Sequence, residues 1–151
     1  MRVSLSLRGD YAVRAMLALA EHELASEPST RPELLSAGAI AERMRIPPRF
    51  VAHVLGDLVR ADLVVGSTGR RGGYRLARSA AAIDLLRIVD AAEPSTDQAR
   101  CVLRGIPCDP VGRCAAHDAF GAATAAVREE LQRTSLASLT REGRREGRPE
   151  A

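Results

Sequence analysis

The chain has no tryptophan among its 151 residues, and only two tyrosines and two phenylalanines. Proteins that bind single-stranded nucleic acids stack the bases on aromatic side chains, so this scarcity argues against that class. No apolar run reaches the roughly 18 to 20 residues that a membrane span needs, and the N-terminus lacks the apolar core and cleavage site of a signal peptide. We therefore expect a cytoplasmic protein that does not contact a membrane.

Lysine is also absent, because all 22 basic residues are arginine, and they face 19 acidic residues for a net charge of +3. The distribution of charge is more informative than the total. Residues 43–78 hold eight arginines and two aspartates, a local balance of +6, whereas residues 81–151 hold ten arginines and eleven acidic residues, a balance of −1. Such a bias is typical of a surface that contacts phosphate groups, although a solvated face rich in salt bridges is the alternative.

Cysteine is scarce but clustered: Cys101, Cys108 and Cys114 are separated by six and then five residues. Two glycines and two prolines between them allow tight turns that could bring the three sulfurs together. In a cytoplasmic protein this pattern favours metal binding or redox chemistry over a disulfide framework. An iron–sulfur cluster, a zinc ion and a metal-free thiol sensor all remain open, and a metal would need a fourth ligand, for which Asp10 and His117 are candidates.

Hydrophobic periodicity predicts a first helix over residues 9–23 and two short helices over 37–44 and 48–61. Ser36 is placed to cap the second helix, and Pro47 with its neighbour Pro48 must separate the second from the third. Two short helices joined by so short a break are typical of a helix-turn-helix, which binds the DNA major groove. The third helix is expected to bury Val51, Val54, Leu55 and Leu58.

A β-hairpin is predicted next, because residues 63–65 and 74–77 are apolar or alternating and flank the sequence GSTGRRGG. The flexible basic tip is typical of a wing that contacts the DNA backbone or minor groove, although a plain turn is the alternative. We expect Arg49 and His53, which point outward early in the third helix, to contact base edges. Arg43, Arg45 and Arg60 are expected to contact phosphates, and Arg70 and Arg71 to make the contacts of the wing. The residues predicted to contact DNA are Arg43, Arg45, Arg49, His53, Arg60, Arg70, Arg71 and Tyr74.

Helices are also predicted over residues 80–92 and 115–133, the second with small and apolar residues on one stripe that suit a dimer interface. The fold class is therefore mainly α with a small β-hairpin wing (α+β). The predicted organisation is a winged helix-turn-helix domain (1–92), a cysteine loop (93–114), a dimerisation helix with its C-terminal segment (115–139), and a disordered polar tail (140–151). The stripe consists of Phe120, Ala123, Val127 and Leu131.

Four segments resemble the Rrf-two family of bacterial winged-helix transcriptional regulators, whose members include NsrR-, IscR- and RirA-like proteins. They are GDYAVRAMLALA, AIAERMRIPPRFVAHVLGDLVRADLV, GRRGGYRLARSAAAIDLLRIVDAAE and CVLRGIPCDPVGRCAAHDAF. The resemblance covers about residues 3–139, and its most specific parts are the Ile-Pro-Pro-Arg-Phe turn and the Gly-Gly-Tyr-Arg-Leu wing.

The resemblance implies a homodimer with crossed long helices, in which the three cysteines hold an iron–sulfur cluster. In NsrR-like members an aspartate from the partner's first helix completes a [4Fe-4S] site, and Asp10 occupies that place. In IscR-like members a histidine three residues after the last cysteine completes a [2Fe-2S] site, and His117 occupies that place. The first cysteine interval is one residue longer here than is common in the family.

The function expected from these features is that of a DNA-binding regulator, in the first place a repressor, which binds a palindromic operator as a homodimer. A cluster, with [4Fe-4S] favoured over [2Fe-2S], would make it a sensor of nitric oxide, redox state or iron. The alternatives are a regulator that senses through zinc or bare thiols and a small iron–sulfur electron carrier, and the basic window argues against the carrier. No catalytic constellation is recognisable, so an enzyme is not expected.

Overall fold

The computed structural model describes residues 4–26, 33–93, 101, 103, 106 and 113–140. Most of the described chain is helical, and a single antiparallel hairpin is present in it, which confirms the predicted mainly helical fold with a wing. The predicted tail lies outside the described residues apart from Thr140. The elements are α1 (Leu7–Ala25), α2 (Ala37–Met44), α3 (Pro48–Arg60), β1 (Val64–Ser67), β2 (Gly73–Leu76), a 3-10 turn (Ala80–Ala82), α4 (Leu85–Ala92) and α5 (His117–Arg133).

Helix α1 is the centre of the core and packs against α2, α3, α4 and β2. It begins two residues earlier than predicted because the Ser6 hydroxyl accepts a hydrogen bond from the Gly9 amide, and it ends at Ala25. Its buried face is made largely of small residues, which lets the neighbouring helices approach closely. The buried side chains of this face include Ala12, Ala15, Met16 and Leu19.

The end of α5 is joined to the same core. Leu136 is completely buried, and its amide donates to the carbonyl of Ile83 at 2.8 Å. The Leu85 amide donates in turn to the carbonyl of Thr134 at 2.9 Å. The segment after the long helix therefore holds α5 against the domain that carries the helix-turn-helix.

The predicted helix over residues 80–92 is wrong in its first half. Helix α4 begins only at Leu85, where the Asp84 carboxylate caps it by accepting from the Arg87 amide at 2.9 Å. Ile83 is extended, because its carbonyl pairs with Leu136 as just described. A local helical pattern is overridden here by a pairing with residues some fifty positions away.

The turn between α2 and α3 starts before the prolines. Arg45 lies in the left-handed region (φ 52°), its amide donates to Glu42, and the next amide, of Ile46, donates to Ala41 at 2.9 Å. This is a Schellman motif, in which glycine usually occupies the left-handed position. Ile46 is buried and anchors the turn, and Pro47 and Pro48 then begin α3. The spacing of the two helices is therefore set by Arg45 and Ile46 as well as by the prolines.

Two substitutions of Arg45 should separate the effect of its strained backbone conformation from the effect of its charge. Arg45→Gly relieves a left-handed conformation that an Ala at the same place retains, a difference of about 1 kcal/mol. For a domain of this size, that corresponds to a melting temperature roughly 2–4 °C higher for the glycine variant than for Arg45→Ala. Both variants lose the same positive charge, so their DNA affinities should fall equally. Equal melting temperatures by calorimetry would contradict the strain assignment.

The wing is held at its base by a third segment. Strands β1 and β2 pair from Val64 with Leu76 to Ser67 with Gly73, and the backbones of Leu35 and Tyr74 exchange hydrogen bonds of 3.0 and 2.9 Å. A Cβ at Gly73 would lie 2.8 Å from the Leu35 carbonyl oxygen, so only glycine fits there. The hairpin is thus fixed relative to the segment that leads into α2.

Candidate DNA interface and cysteine centre

Helix α3 has the two faces that a recognition helix needs. All four side chains predicted to point inward are buried, whereas Arg49 and His53 in the first turns are exposed. The Arg49 guanidinium lies over the Phe50 ring, 4.8 Å from its centroid. Such a cation–π contact restricts the side chain without neutralising it, so Arg49 remains available to a base edge or a phosphate.

An aromatic contact, which the sequence analysis did not find, holds the start of α3 against α1. The rings of Tyr11 and Phe50 lie 5.6 Å apart and are tilted by 40°. Together with Leu7 and Val54 they line an apolar recess that His53 also borders. The orientation of the first turns of α3 therefore depends on the position of α1.

A buried carboxylate makes a second link between the same helices. Asp57 is only 5% exposed although it lies within the basic window, and it accepts a 2.6 Å hydrogen bond from Arg8 Nε of α1. Arg60 forms an ion pair with the other carboxylate oxygen. Burial of a charge requires such partners, so Asp57 fixes Arg60 at the end of α3 and ties α3 to the first turn of α1.

The remaining residues predicted to contact DNA lie at the surface or near it. Arg43 pairs with Glu21 of α1 at 3.1 Å, and Arg45 is exposed in the turn before α3. At the tip of the wing, Arg70 and Arg71 are both exposed, and Arg71 borders a polar recess between the hairpin and the end of α1. Tyr74 is half-buried against the core, and its ring covers Gly66. A DNA contact of each residue stays a prediction.

Two of the three cysteines meet in the structure. The Sγ atoms of Cys101 and Cys114 are 3.3 Å apart, although the residues are separated by 13 positions. Cys101 is buried, and its amide donates to the Ile106 carbonyl at 2.9 Å, which closes a tight loop. Cys114 is partly exposed just before α5, and its carbonyl accepts from the His117 amide at 3.0 Å. Cys108 lies outside the described residues.

The two candidate fourth ligands have different surroundings. Asp10 is held by Arg14, at 3.1 Å from Oδ1 to Nε and 2.9 Å from Oδ2 to a terminal nitrogen. His117 is the first residue of α5, one turn beyond Cys114. Within the described part of the chain, no three side chains of histidine, cysteine, aspartate or glutamate converge as metal ligands. The choice between Asp10 and His117 therefore stays a prediction.

The start of α1 also contacts the end of α4, just before the cysteine segment. The Glu93 carboxylate accepts a hydrogen bond from the Ser6 amide at 2.8 Å. A Cβ added at Gly9 would lie 2.7 Å from the same carboxylate, which would then have to move away from the first turn of α1. A negative charge at a helix N-terminus is favourable, and Glu93 thus fixes the first turn of α1.

Helix α5 leaves its predicted stripe partly uncovered, because Phe120 and Ala123 are exposed and Val127 and Leu131 are half-buried. None of its residues is buried, and Phe120 is 39% exposed. On its other side, Arg128 makes two hydrogen bonds to the Asp90 carboxylate of α4, at 2.9 and 2.8 Å. The hydrogen bonds to the Asp90 carboxylate raise the pKa of Arg128, so its guanidinium stays charged. None of the helices in the described residues has the length and apolarity to cross a membrane.

A family profile and a sequence relative identify the family of this chain. The sequence matches the Rrf2 profile, described as iron-dependent transcriptional regulator, over residues 5–142. It is 30% identical over 137 residues to the HTH-type transcriptional regulator IscR of Vibrio vulnificus, an alignment that covers 91% of this chain and 77% of that protein.

Two solved structures share the fold. IscR of T. potens has a TM-score of 0.75 and 23% identity, and the match covers 99% of this chain and 94% of the other. CymR, the global cysteine regulator of B. subtilis, has a TM-score of 0.70 and 22% identity over 93% and 98% of the two chains. Because both identities are below 25%, the two structures establish only the fold. The match to the Rrf2 profile establishes the family. The chain belongs to the Rrf2 family of winged-helix transcriptional regulators, which bind DNA.

Proposed function

We propose that the protein is a homodimeric repressor whose binding to a palindromic operator is controlled by an iron–sulfur cluster on the cysteine loop. The observation that carries this proposal is the meeting of the Cys101 and Cys114 thiols beside a winged helix-turn-helix. Soft thiolate donors select zinc and iron–sulfur clusters over hard cations. The family description as iron-dependent favours iron.

The donor set fits such a group. Two thiolates on one tetrahedral metal atom with bonds near 2.3 Å lie about 3.8 Å apart, close to the 3.3 Å between Cys101 and Cys114. Cys108 would supply a third thiolate, and Asp10 or His117 the fourth ligand. A bound cluster would supply a centre that reacts with nitric oxide or oxygen and is lost when iron is scarce.

On the DNA side, we assign base readout to the exposed first turns of α3 and positioning to the wing and the helix ends. Arg49 and His53 are the base-contacting residues in this proposal, because both side chains are exposed in the first two turns of the helix. Arg60, which Asp57 holds in place, and the arginines of the wing would contact phosphates. Two copies joined through the exposed stripe of α5 would present two such surfaces to the half-sites of one operator.

Coupling between the cysteine loop and α3 would pass through the first turn of α1. Glu93 follows α4 and begins the segment that carries the cysteines, and its carboxylate accepts a hydrogen bond from the Ser6 amide. From there, Arg8 contacts Asp57 and Tyr11 contacts Phe50, so a shift of α1 moves both ends of α3. Rearrangement of the loop would thereby change the spacing of the two recognition helices. A coupling free energy of a few kcal/mol between the cysteine loop and the DNA-binding surface is sufficient, since roughly 1.4 kcal/mol changes DNA affinity tenfold.

A second candidate is a regulator that uses the same thiols with zinc or with no metal. The structural likeness to a protein titled as a cysteine regulator and the close approach of the two thiols favour it. Purification without oxygen, followed by visible absorption and by iron and sulfide analysis, separates the candidates. Two or four irons per protomer with matching sulfide would support the cluster. A colourless protein after cluster reconstitution would refute it and leave the zinc or thiol regulator.

Removing the Glu93 carboxylate should weaken the coupling. Glu93→Ala is expected to bring the operator affinities of the iron-loaded and iron-free protein closer together, by a factor of roughly 2 to 30 in their ratio, and to leave the iron content unchanged. The affinities are measured by fluorescence anisotropy without oxygen. Glu130→Ala, which removes a more exposed carboxylate from α5, is the control and should keep the ratio. A ratio unchanged in Glu93→Ala would exclude this route.

A further inference from the structure

We infer that Cys101 and Cys114 form an intrachain disulfide when the loop holds no metal, and that Cys108 is left out of it. The inference concerns the protein without the proposed cluster, and it rests on the proposed function only in treating the loop as the sensory element. Its geometric basis is the 3.3 Å between the two Sγ atoms. A disulfide bond is about 2.05 Å long, so an approach of little more than 1 Å would close it.

The two thiols differ in exposure, and this difference gives them different roles in the reaction. Cys114 is partly exposed at the start of α5, where a reagent from solvent can reach it. Cys101 is only 8% exposed, and the hydrogen bond of its amide to Ile106 holds it beside Cys114. An accessible thiol next to a buried partner is the arrangement found in many thiol-based redox sensors. Cys114 is therefore the attacking residue and Cys101 the resolving one.

With a hydroperoxide as oxidant, the reaction takes place in two steps. The Cys114 thiolate attacks one peroxide oxygen, the O–O bond breaks, and a sulfenic acid forms with release of an alcohol or water. The Cys101 thiol then attacks the Cys114 sulfur, the S–O bond breaks, and the hydroxyl leaves as water with the proton from Cys101. Two electrons pass from the two thiols to the peroxide, and a dithiol reductant reverses the change.

The sequence makes the pairing directly measurable. Trypsin cleaves after arginine, and since lysine is absent, each cysteine falls on its own peptide: residues 101–104, 105–113 and 114–128. The full-length protein is stripped of metal, treated with hydrogen peroxide, alkylated and digested. We expect mass spectrometry to find the first and third peptides joined and the middle one alkylated at Cys108, with the protein monomeric on a non-reducing denaturing gel.

Two variants make the test strict. Cys108→Ser should still form the disulfide, and Cys101→Ser should stop at the sulfenic acid of Cys114, which dimedone traps. A bond that includes the 105–113 peptide, a bond between two chains, or no bond at all would overturn the inference. The outcome is independent of the cluster: iron binding without a 101–114 disulfide refutes the inference alone, and a disulfide in a protein that never binds iron refutes the proposed cluster alone.

Discussion

A Cys114→Ser variant is expected to retain almost no iron and to bind its operator with the same affinity before and after treatment with a chelator. Serine is a poor ligand for soft metals, and Cys114 is one of two thiols that the structure brings together. Its loss leaves one thiolate of that pair, so the iron content should fall from about two to four per protomer to nearly none. The ratio of the operator affinities measured before and after treatment with the chelator should then be about one.

Leu103→Ser is the matched control for this variant. It introduces the same side chain into the same loop at a position that is 63% exposed and carries no ligand atom, so iron and regulation should both be retained. Iron is measured in protein purified without oxygen, and folding is checked by circular dichroism. A Cys114→Ser protein with full iron content and an intact response would contradict the assignment of the cysteine loop.

Arg49→Ala is expected to lower operator affinity roughly 10- to 100-fold and to change affinity for random DNA much less, as for a lost contact to a base edge worth about 1–3 kcal/mol. Arg49 is exposed in the first turn of α3, and its contact with Phe50 leaves its hydrogen-bond donors available. Arg60→Ala should instead weaken binding to operator and to random DNA about equally. It should also reduce the slope of log affinity against log salt concentration by roughly one unit.

The comparison of these two variants needs a control for charge. Arg133→Ala removes one positive charge from the exposed side of α5, where Arg133 pairs with Glu130, and should affect neither kind of DNA. Because Arg60 also contacts buried Asp57, the melting temperature of each variant is measured beside its affinity. Identical losses on operator and random DNA for both Arg49→Ala and Arg60→Ala would refute the division into base and phosphate contacts.

The helix-turn-helix could be predicted from sequence because its signals are local. Ser36 caps α2 as expected, and both α2 and the start of α3 coincide with their predicted bounds. The four inward residues of α3 follow from the helical period alone. The hairpin was predictable for the same reason, since its strands adjoin a glycine-rich turn.

Features that depend on distant residues escaped prediction. Ile83 is extended because it pairs with Leu136, and nothing near residue 83 signals that pairing. The burial of Asp57 depends on Arg8, 49 positions away, so its place in the basic window gave no hint of its role. The left-handed Arg45 escaped prediction for a local reason, because glycine is the residue that usually marks this conformation.

The candidate site shows the same limit. Clustering predicted the cysteines as candidate sensory residues, but the proximity of Cys101 to Cys114 follows from how the loop closes on itself. The choice of a fourth ligand cannot come from spacing, because the family resemblance offers both Asp10 from a partner subunit and His117 from the same chain. The link from Glu93 through α1 to the recognition helix also depends on contacts between distant residues.

The most direct test of the account compares one DNA fragment with two states of the protein. Operator fragments are first selected from sheared DNA of the source genome with protein purified without oxygen. The dissociation constant of a selected fragment is then measured for the iron-loaded protein and for the same preparation after removal of iron under reducing conditions. The account predicts that the iron-free protein binds at least about tenfold more weakly, a difference of roughly 1.4 kcal/mol. Equal affinities in the two states would contradict control of DNA binding by a cluster.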